Sequence, residues 1–102
     1  MQYGLENQII EQIQLIFANV PEVEQVILYG SRAKGNFKNA SDIDLTLFGK
    51  QLNLTILNNI NWQLDDLLLP YTFDLSIYQQ ISNPDLLEHI RRIGIIIYKK
   101  KY

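Results

Sequence analysis

Two aspartates separated by one residue open a predicted strand near the middle of the chain. Asp42 and Asp44 flank Ile43, and because side chains alternate faces along a strand, we expect both carboxylates on the same face. Two like charges so close together repel each other, and a divalent cation between them would relieve the repulsion. Oxygen ligands without His or Cys nearby suit Mg²⁺ or Mn²⁺. The pair is therefore a candidate metal site, and the alternative is a solvated strand edge whose charges discourage pairing with other sheets.

A basic, glycine-containing segment precedes the two aspartates and is suited to phosphate. An apolar strand runs into Gly30 and Ser31, and Arg32, Lys34 and Lys38 follow within a few residues. Glycine lets the backbone approach a phosphate closely, and serine can bind a phosphate oxygen or cap the following turn. The spacing fits neither a P-loop nor a Gly-x-Gly-x-x-Gly dinucleotide site. We interpret the segment as a candidate phosphate site, with an ordinary loop as the alternative.

Asp74 adds a third carboxylate from a later strand. It lies in the alternating segment 73–78, on the face opposite Phe73, Leu75 and Ile77. If this strand lies beside that of the paired aspartates, three carboxylates converge and can hold two metal ions. Two such ions would stabilise the attacking and leaving oxygens of an in-line displacement at phosphorus, and Asp74 would accept the proton of the attacking hydroxyl. The alternative is a solvent-facing aspartate.

Hydrophobic spacing predicts the elements that position these residues. Apolar residues at three- and four-residue intervals predict helices, and short apolar or alternating segments predict strands. The predicted helices are 5–20, 56–68 and 82–93, and the predicted strands are 26–29, 43–48, 73–78 and 95–98. The loop between the first two strands is too short for a crossover helix on a parallel pair. We therefore expect a small α/β (α+β) fold, with a mixed sheet that has antiparallel neighbours and helices packed on it.

Length and composition limit the other functions. The 102 residues allow one domain, 1–102, and 47% hydrophobic and 20% charged residues are ordinary for a globular protein. A formal net charge of −2 argues against stable nucleic-acid binding. No Cys and a single His exclude disulfides, thiol nucleophiles and multi-His metal sites. No apolar segment approaches the roughly 18 residues of a membrane span, so we expect a soluble cytoplasmic protein without a membrane partner.

Together the motifs resemble those of a known enzyme family. The strings Gly-Ser-Arg-Ala-Lys-Gly, beginning at Gly30, and Ser-Asp-Ile-Asp-Leu, beginning at Ser41, are followed by the strand carboxylate Asp74. This pattern is similar to the signature of the DNA polymerase beta superfamily of nucleotidyltransferases, in particular its minimal, stand-alone branch. The resemblance spans nearly the whole chain and implies a polymerase-beta-like nucleotidyltransferase core.

The resemblance also implies a role for each motif residue. Asp42 and Asp44 would bind two Mg²⁺ ions, which Mn²⁺ could replace, and Asp74 would complete one metal site and receive the proton of the incoming hydroxyl. ATP would be the substrate. The residues implied to contact the nucleotide are Gly30, Ser31, Arg32, Lys34 and Ser41.

Members of the minimal branch are commonly paired with an all-helical HEPN-type protein. In several cases this partner is a ribonuclease toxin that the nucleotidyltransferase silences by transferring AMP to a tyrosine. The resemblance thus implies a protein adenylyltransferase that acts as an antitoxin, and a chain too short for its own acceptor domain agrees with this. Two alternatives stay open. The chain could be a non-catalytic module that neutralises its partner by binding, or a nucleotidyltransferase that acts on a small molecule or an RNA end.

Three further features are assigned no chemistry. His89 falls outside the apolar stripe of the last predicted helix, so we expect a solvated surface residue. Trp62 is expected in core or rim packing rather than in a base-stacking platform. The run Lys99 to Lys101 is expected to be a solvated tail.

Overall fold

Four α-helices and one four-stranded sheet make up the described part of the chain, residues 1–101, in the computed structural model. In chain order the elements are α1 (Asn7–Ala18), β1 (Gln25–Tyr29), α2 (Gly30–Lys34), β2 (Ile43–Phe48), α3 (Leu54–Asp65), β3 (Phe73–Ile77), a 3₁₀ turn (Tyr78–Gln80), α4 (Pro84–Ile93) and β4 (Ile95–Lys99). The longest helices, α1 and α3, have 12 residues each. No helix within residues 1–101 is long and apolar enough to span a bilayer.

The sheet is mixed, which confirms the predicted fold class. Its strand order is β3-β2-β1-β4. β1 is antiparallel to both β2 and β4, whereas β2 and β3 are parallel. The parallel pair is possible because α3 carries the chain back to the starting edge of the sheet. The register aligns Asp44 of β2 with Tyr29 of β1 on one side and Asp74 of β3 on the other.

Alternating apolar residues of the two central strands form the core. Val26, Leu28 and Leu45 are at most 1% exposed and pack with Phe17 of α1 and Ile60 of α3. Each such side chain contributes roughly 1.5–3 kcal/mol when it is fully buried. The same alternation directs the other side chains of β1 and β2 to the opposite face, where α4 packs close to Ile27. The core therefore fixes which face of the sheet carries the polar residues.

The segment after β1, predicted as a loop, begins with the short helix α2. The helix has five residues, too few for the three- and four-residue spacing of apolar side chains to be visible in the sequence. It ends at Gly35, whose φ of 96° lies in the left-handed region.

Trp62 is 75% exposed, so the prediction that it packs in the core or rim is wrong. Helix α3 buries Ile60 and Leu64 against the sheet. Two residues correspond to about 200° of rotation around a helix. Position 62 therefore lies on the side of α3 that faces solvent.

Lys99 and Lys101 are exposed, as expected for a solvated lysine run, but Lys99 is the last residue of β4 rather than part of a tail. The Lys100 backbone N–H donates to the Glu24 carbonyl oxygen over 2.9 Å, and Lys100 Nζ donates to the Pro21 carbonyl oxygen over 2.9 Å. The sheet therefore continues further along the chain than the apolar run indicates.

Candidate active site

Aspartates from β2 and β3 lie side by side near the end of the sheet where these two strands begin. Asp44 and Asp74 are register partners in the parallel ladder, and neighbouring strands are about 4.8 Å apart. Asp42 directly precedes β2. Asp42 and Asp74 are exposed, and Asp44 is half-buried. The structure thus brings Asp44 and Asp74 together and leaves both accessible from one face.

Burial and the two neighbouring carboxylates act on the charge of Asp44. The pKa of Asp44 is raised from 3.8 to about 6, first by burial and then by the charges of Asp74 and Asp42. At neutral pH the Asp44 carboxyl is still mostly ionised, so like charges crowd at this end of the sheet. A bound cation would lower the energy of that arrangement.

Gly30 brings the backbone directly against the Asp44 carboxylate. Its φ is 76°, in the region that glycine adopts without strain. A Cβ atom at this position would collide with Asp44 Oδ2. Glycine is therefore required twice, for the turn from β1 into α2 and for the close approach to Asp44. The next residue, Ser31, is half-buried. It does not cap α2, because the N-cap position is Tyr29 and no side chain makes a capping hydrogen bond.

Arg32 is buried, with 1% of its surface exposed. Its guanidinium donates to the carbonyl oxygens of Tyr3 over 2.9 Å, Asn39 over 3.2 Å and Ser41 over 3.0 Å. It also lies 4.9 Å from the ring centroid of Tyr71. These contacts satisfy a buried charge and fix the loop that leads into the aspartates. The structure gives Arg32 a positioning role, and its polar atoms already have partners that a phosphate would have to replace.

Lys34 and Ser41 differ from Arg32 in their surroundings. Lys34 is exposed on α2. The Ser41 hydroxyl accepts the backbone N–H of Lys38 over 2.8 Å, and the Ser41 carbonyl accepts from Arg32. Ser41 therefore takes part in the loop structure immediately before the first aspartate, while the Lys34 side chain remains accessible to a ligand.

His89 lies at the site, so the prediction that it is solvated is wrong. Its Nε2 accepts the Gly30 backbone N–H over 3.0 Å. The His89 ring meets the Tyr29 ring edge-on, with centroids 6.2 Å apart and planes at 77°. The contact arises because α4 packs against α2 and β1. No signal within the α4 sequence shows where that helix will pack.

Tyr29 also lies at the site, although the sequence predicts it only as the last residue of a strand. It is 7% exposed and lies opposite Asp44 in the antiparallel ladder. Burial raises its pKa, the neighbouring Ser76 hydroxyl opposes the rise, and the charges of Asp74 and Asp44 add to it. Tyr29 therefore remains protonated beside the carboxylates. Its position at the end of β1, next to the glycine-serine pair, was the signal available in the sequence.

The donors at this site are of the type that Mg²⁺ prefers. Asp42, Asp44 and Asp74 offer only carboxylate oxygens. Within residues 1–101, no three side chains among His, Cys, Asp and Glu are arranged as a complete set of metal ligands. Mg²⁺ is commonly bound by one or two carboxylates together with substrate phosphates. The site therefore fits a cation that arrives with a phosphate ligand better than a permanently bound one.

Several solved structures have a similar fold, including three chains of toxin–antitoxin complexes. A chain of a toxin–antitoxin complex with AMP-PNP has a TM-score of 0.71 at 20% identity, over 95% of this chain and 76% of that one. A chain of the complex between the tri-AMPylated HEPN toxin of Shewanella oneidensis and the MNT antitoxin has a TM-score of 0.69 at 17% identity, over 94% and 74%. A chain of an MntA–HepT toxin–antitoxin complex has a TM-score of 0.68 at 18% identity, over 93% and 74%. At these identities the likeness shows a shared fold.

A protein-family model gives the stronger result. No curated protein matches the chain. The model of the family described as polymerase beta, nucleotidyltransferase matches residues 11–102, which confirms the resemblance noted in the glycine-serine and aspartate motifs. Because this match covers nearly the whole chain, the protein belongs to the polymerase beta family of nucleotidyltransferases.

Proposed function

We propose that the chain, as a single domain over 1–102, is a Mg²⁺-dependent nucleotidyltransferase that transfers AMP from ATP to a hydroxyl of a protein partner. The observation that carries this proposal is the backbone of Gly30 packed directly against Asp44, with Asp74 beside it. A phosphate held by the glycine-serine turn would lie next to carboxylates that can share a cation with it. That juxtaposition is what transfer from a nucleoside triphosphate requires.

Asp42, Asp44 and Asp74 are the residues that would hold Mg²⁺. When bound there, Mg²⁺ would supply positive charge to the triphosphate and to the charge that develops on the leaving group. The carboxylates fit this role because burial, together with the charges of Asp74 and Asp42, raises the pKa of Asp44 to about 6, and a cation would offset these effects. The phosphates of ATP would complete the ligand set that the side chains leave incomplete.

Ser31 would bind the triphosphate through its backbone N–H and its hydroxyl. Gly30, whose own N–H is donated to His89, would let the backbone approach the phosphates closely. Lys34, exposed on α2, would add charge to the same phosphates. Arg32 and Ser41 would act on the nucleotide through the loop that they hold in place.

In the proposed reaction, the acceptor hydroxyl oxygen forms a bond to the α-phosphorus of ATP. The bond from that phosphorus to the oxygen bridging the α- and β-phosphates breaks, and pyrophosphate leaves with the electron pair. The hydroxyl proton passes to Asp74, which is exposed and adjacent to Asp44. The acceptor then carries AMP as a phosphodiester.

The proposed acceptor is a tyrosine hydroxyl of an all-helical HEPN-type toxin, for which the chain would be the antitoxin. Support comes from the solved structures of similar fold, which are toxin–antitoxin complexes, one with AMP-PNP and one with a tri-AMPylated HEPN toxin. One physical feature of this chain agrees with an external acceptor, since Asp42 and Asp74 are exposed.

The acceptor class is tested by labelling an extract of the native host cells. The extract is incubated with the purified chain, Mg²⁺ and ATP labelled at the α-phosphate, and the product is then digested with protease or with nuclease. We expect one labelled species that protease removes and nuclease leaves intact. Label that survives protease but not nuclease would indicate an RNA acceptor, and label in small molecules would indicate a hydroxylated metabolite. Either result would contradict the protein acceptor.

A further inference from the structure

We infer that His89 is a positioning residue of the nucleotide site: its neutral imidazole accepts the Gly30 N–H and holds the glycine-serine turn against Asp44. The inference rests on the proposed function, because it assigns His89 a part in nucleotide binding. At the site, His89 contacts the turn and the Tyr29 ring, as described above.

The position of the His89 ring is set by the packing of α4. Ile90, the next residue, is 2% exposed. At the end of the helix, a Cβ on Gly94 would lie 2.6 Å from Ile27 Cγ2 of β1, which shows how closely α4 approaches the sheet. The half-buried His89 is thereby held at a fixed depth over α2. Its ring reaches the turn from a second, rigid element.

The Gly30 N–H needs a partner from outside its own helix. Gly30 is the first residue of α2, and the first N–H groups of a helix have no acceptor within it. His89 Nε2 supplies that acceptor over 3.0 Å. An imidazole that accepts at Nε2 carries its proton on Nδ1. The contact thus fixes both the orientation of the turn and the tautomer of the histidine.

Gly30 is consequently held from two sides. His89 binds its N–H, and Asp44 Oδ2 occupies the space where a Cβ would be. A small displacement of the turn would change the spacing between the phosphate-binding backbone and the carboxylates that share the cation. Misplacement of about 1 Å in such a site reduces function by up to about a hundredfold. Loss of the His89 contact alone should therefore weaken the binding of Mg²⁺·ATP by about tenfold.

Two amide substitutions separate positioning from general packing. The His89→Gln side chain can place its carbonyl oxygen near the position of Nε2, whereas the His89→Asn side chain is too short to reach it. Glu88→Gln is the matched control, since Glu88 is the preceding residue of α4, is exposed and forms an ion pair with Arg91 on the helix surface. We expect His89→Asn to bind Mg²⁺·ATP about tenfold more weakly than the wild type, and both His89→Gln and Glu88→Gln to bind within about threefold of it. Binding is measured by calorimetry on variants whose folding is verified by circular dichroism.

The outcomes distinguish this inference from the proposed function. Equal binding by the Asn and Gln variants, while the wild type binds Mg²⁺·ATP, would overturn the role of His89 and leave the proposed function intact. Failure of the wild type to bind Mg²⁺·ATP would contradict the proposed function itself, and this role of His89 with it.

A second measurement needs no variant. In the ¹⁵N-labelled wild type, an N–H···N bond gives a scalar coupling between Gly30 N and His89 Nε2, which we expect with and without Mg²⁺·ATP, and its absence would overturn the inference.

Discussion

Asp44 occupies a position where the fold opposes its charge. Burial and the neighbouring carboxylates of Asp74 and Asp42 raise its pKa to about 6. The folded protein therefore keeps an ionised group at neutral pH at some cost to its stability. Such costs are typical of functional residues, and in the proposed site a bound cation offsets this one.

Replacing Asp44 by Asn should stabilise the free protein at high pH. The pKa of Asp44 in the folded state, about 6, lies above the ordinary value of 3.8. The folded state therefore binds the Asp44 proton more tightly than the unfolded state does, and the stability that this provides is lost as the pH rises through 6. Because Asp44 is partly solvated, we expect a gain of about 1 kcal/mol for Asp44→Asn at pH 8, after allowance for screening. Urea unfolding at pH 8 and pH 4 measures it. The gain should disappear near pH 4, and a gain that is larger at pH 4 would contradict the account.

Gly30→Ala should lose both stability and ATP binding. An alanine at φ 76° is strained, and its Cβ would collide with Asp44 Oδ2; together these effects should destabilise the fold by about 2–3 kcal/mol. Gly35→Ala is the control, since its φ is 96° but no atom lies within 4 Å of the added Cβ. We expect the control to lose about 1 kcal/mol and to keep its affinity for Mg²⁺·ATP. Equal effects of the two substitutions on affinity would show that the contact between Gly30 and Asp44 is unimportant.

At the scale of elements, Arg32 links α2 to the loop that leads into Asp42 and β2. Its guanidinium donates to three backbone carbonyls from two separate segments, at Tyr3 and at residues 39–41. A buried arginine with this fork of donors has no equivalent in lysine. Arg32, together with the hydrogen bonds between Ser41 and Lys38, therefore holds a loop that has no regular secondary structure.

Arg32→Lys should destabilise the protein by about 2–4 kcal/mol. The substitution keeps a buried charge but removes most of its hydrogen bonds. Lys34→Gln, on the exposed side of the same helix, should change the stability by less than about 0.5 kcal/mol. Urea unfolding at one pH compares the two. If Arg32→Lys is no more harmful than Lys34→Gln, Arg32 does not hold the loop.

The sequence predicts those features of the site that are set within one strand or by one short connection. Alternation within a strand places Asp44 on the face opposite Leu45, and the mixed sheet followed from the short connection between β1 and β2. The contact of His89 with Gly30 was missed because it depends on how α4 packs against α2. The exposed Trp62 was misjudged for a related reason, since the face that α3 buries is decided by the sheet beneath it.

At the scale of the molecule, most of the apolar core lies away from the candidate site. The core packs between the sheet and helices α1 and α3, whereas Asp42 and Asp74 are exposed. Substitution of an exposed carboxylate can therefore alter nucleotide binding without opening the core, while substitution of Gly30 or of the buried Arg32 lowers stability as well.

Transfer of the α-phosphate shows whether the carboxylates and the glycine-serine turn form the site that transfers a nucleotide from ATP. The purified chain and its acceptor fraction are incubated with Mg²⁺ and with ATP labelled at either the α- or the γ-phosphate, and Asp44→Asn and a chelator serve as controls. We predict label in the acceptor only from α-labelled ATP, only with Mg²⁺ and only with the wild type. Label from the γ-phosphate, or equal labelling by Asp44→Asn, would contradict nucleotidyl transfer at this site. No label under any condition would favour a protein that neutralises its partner by binding alone.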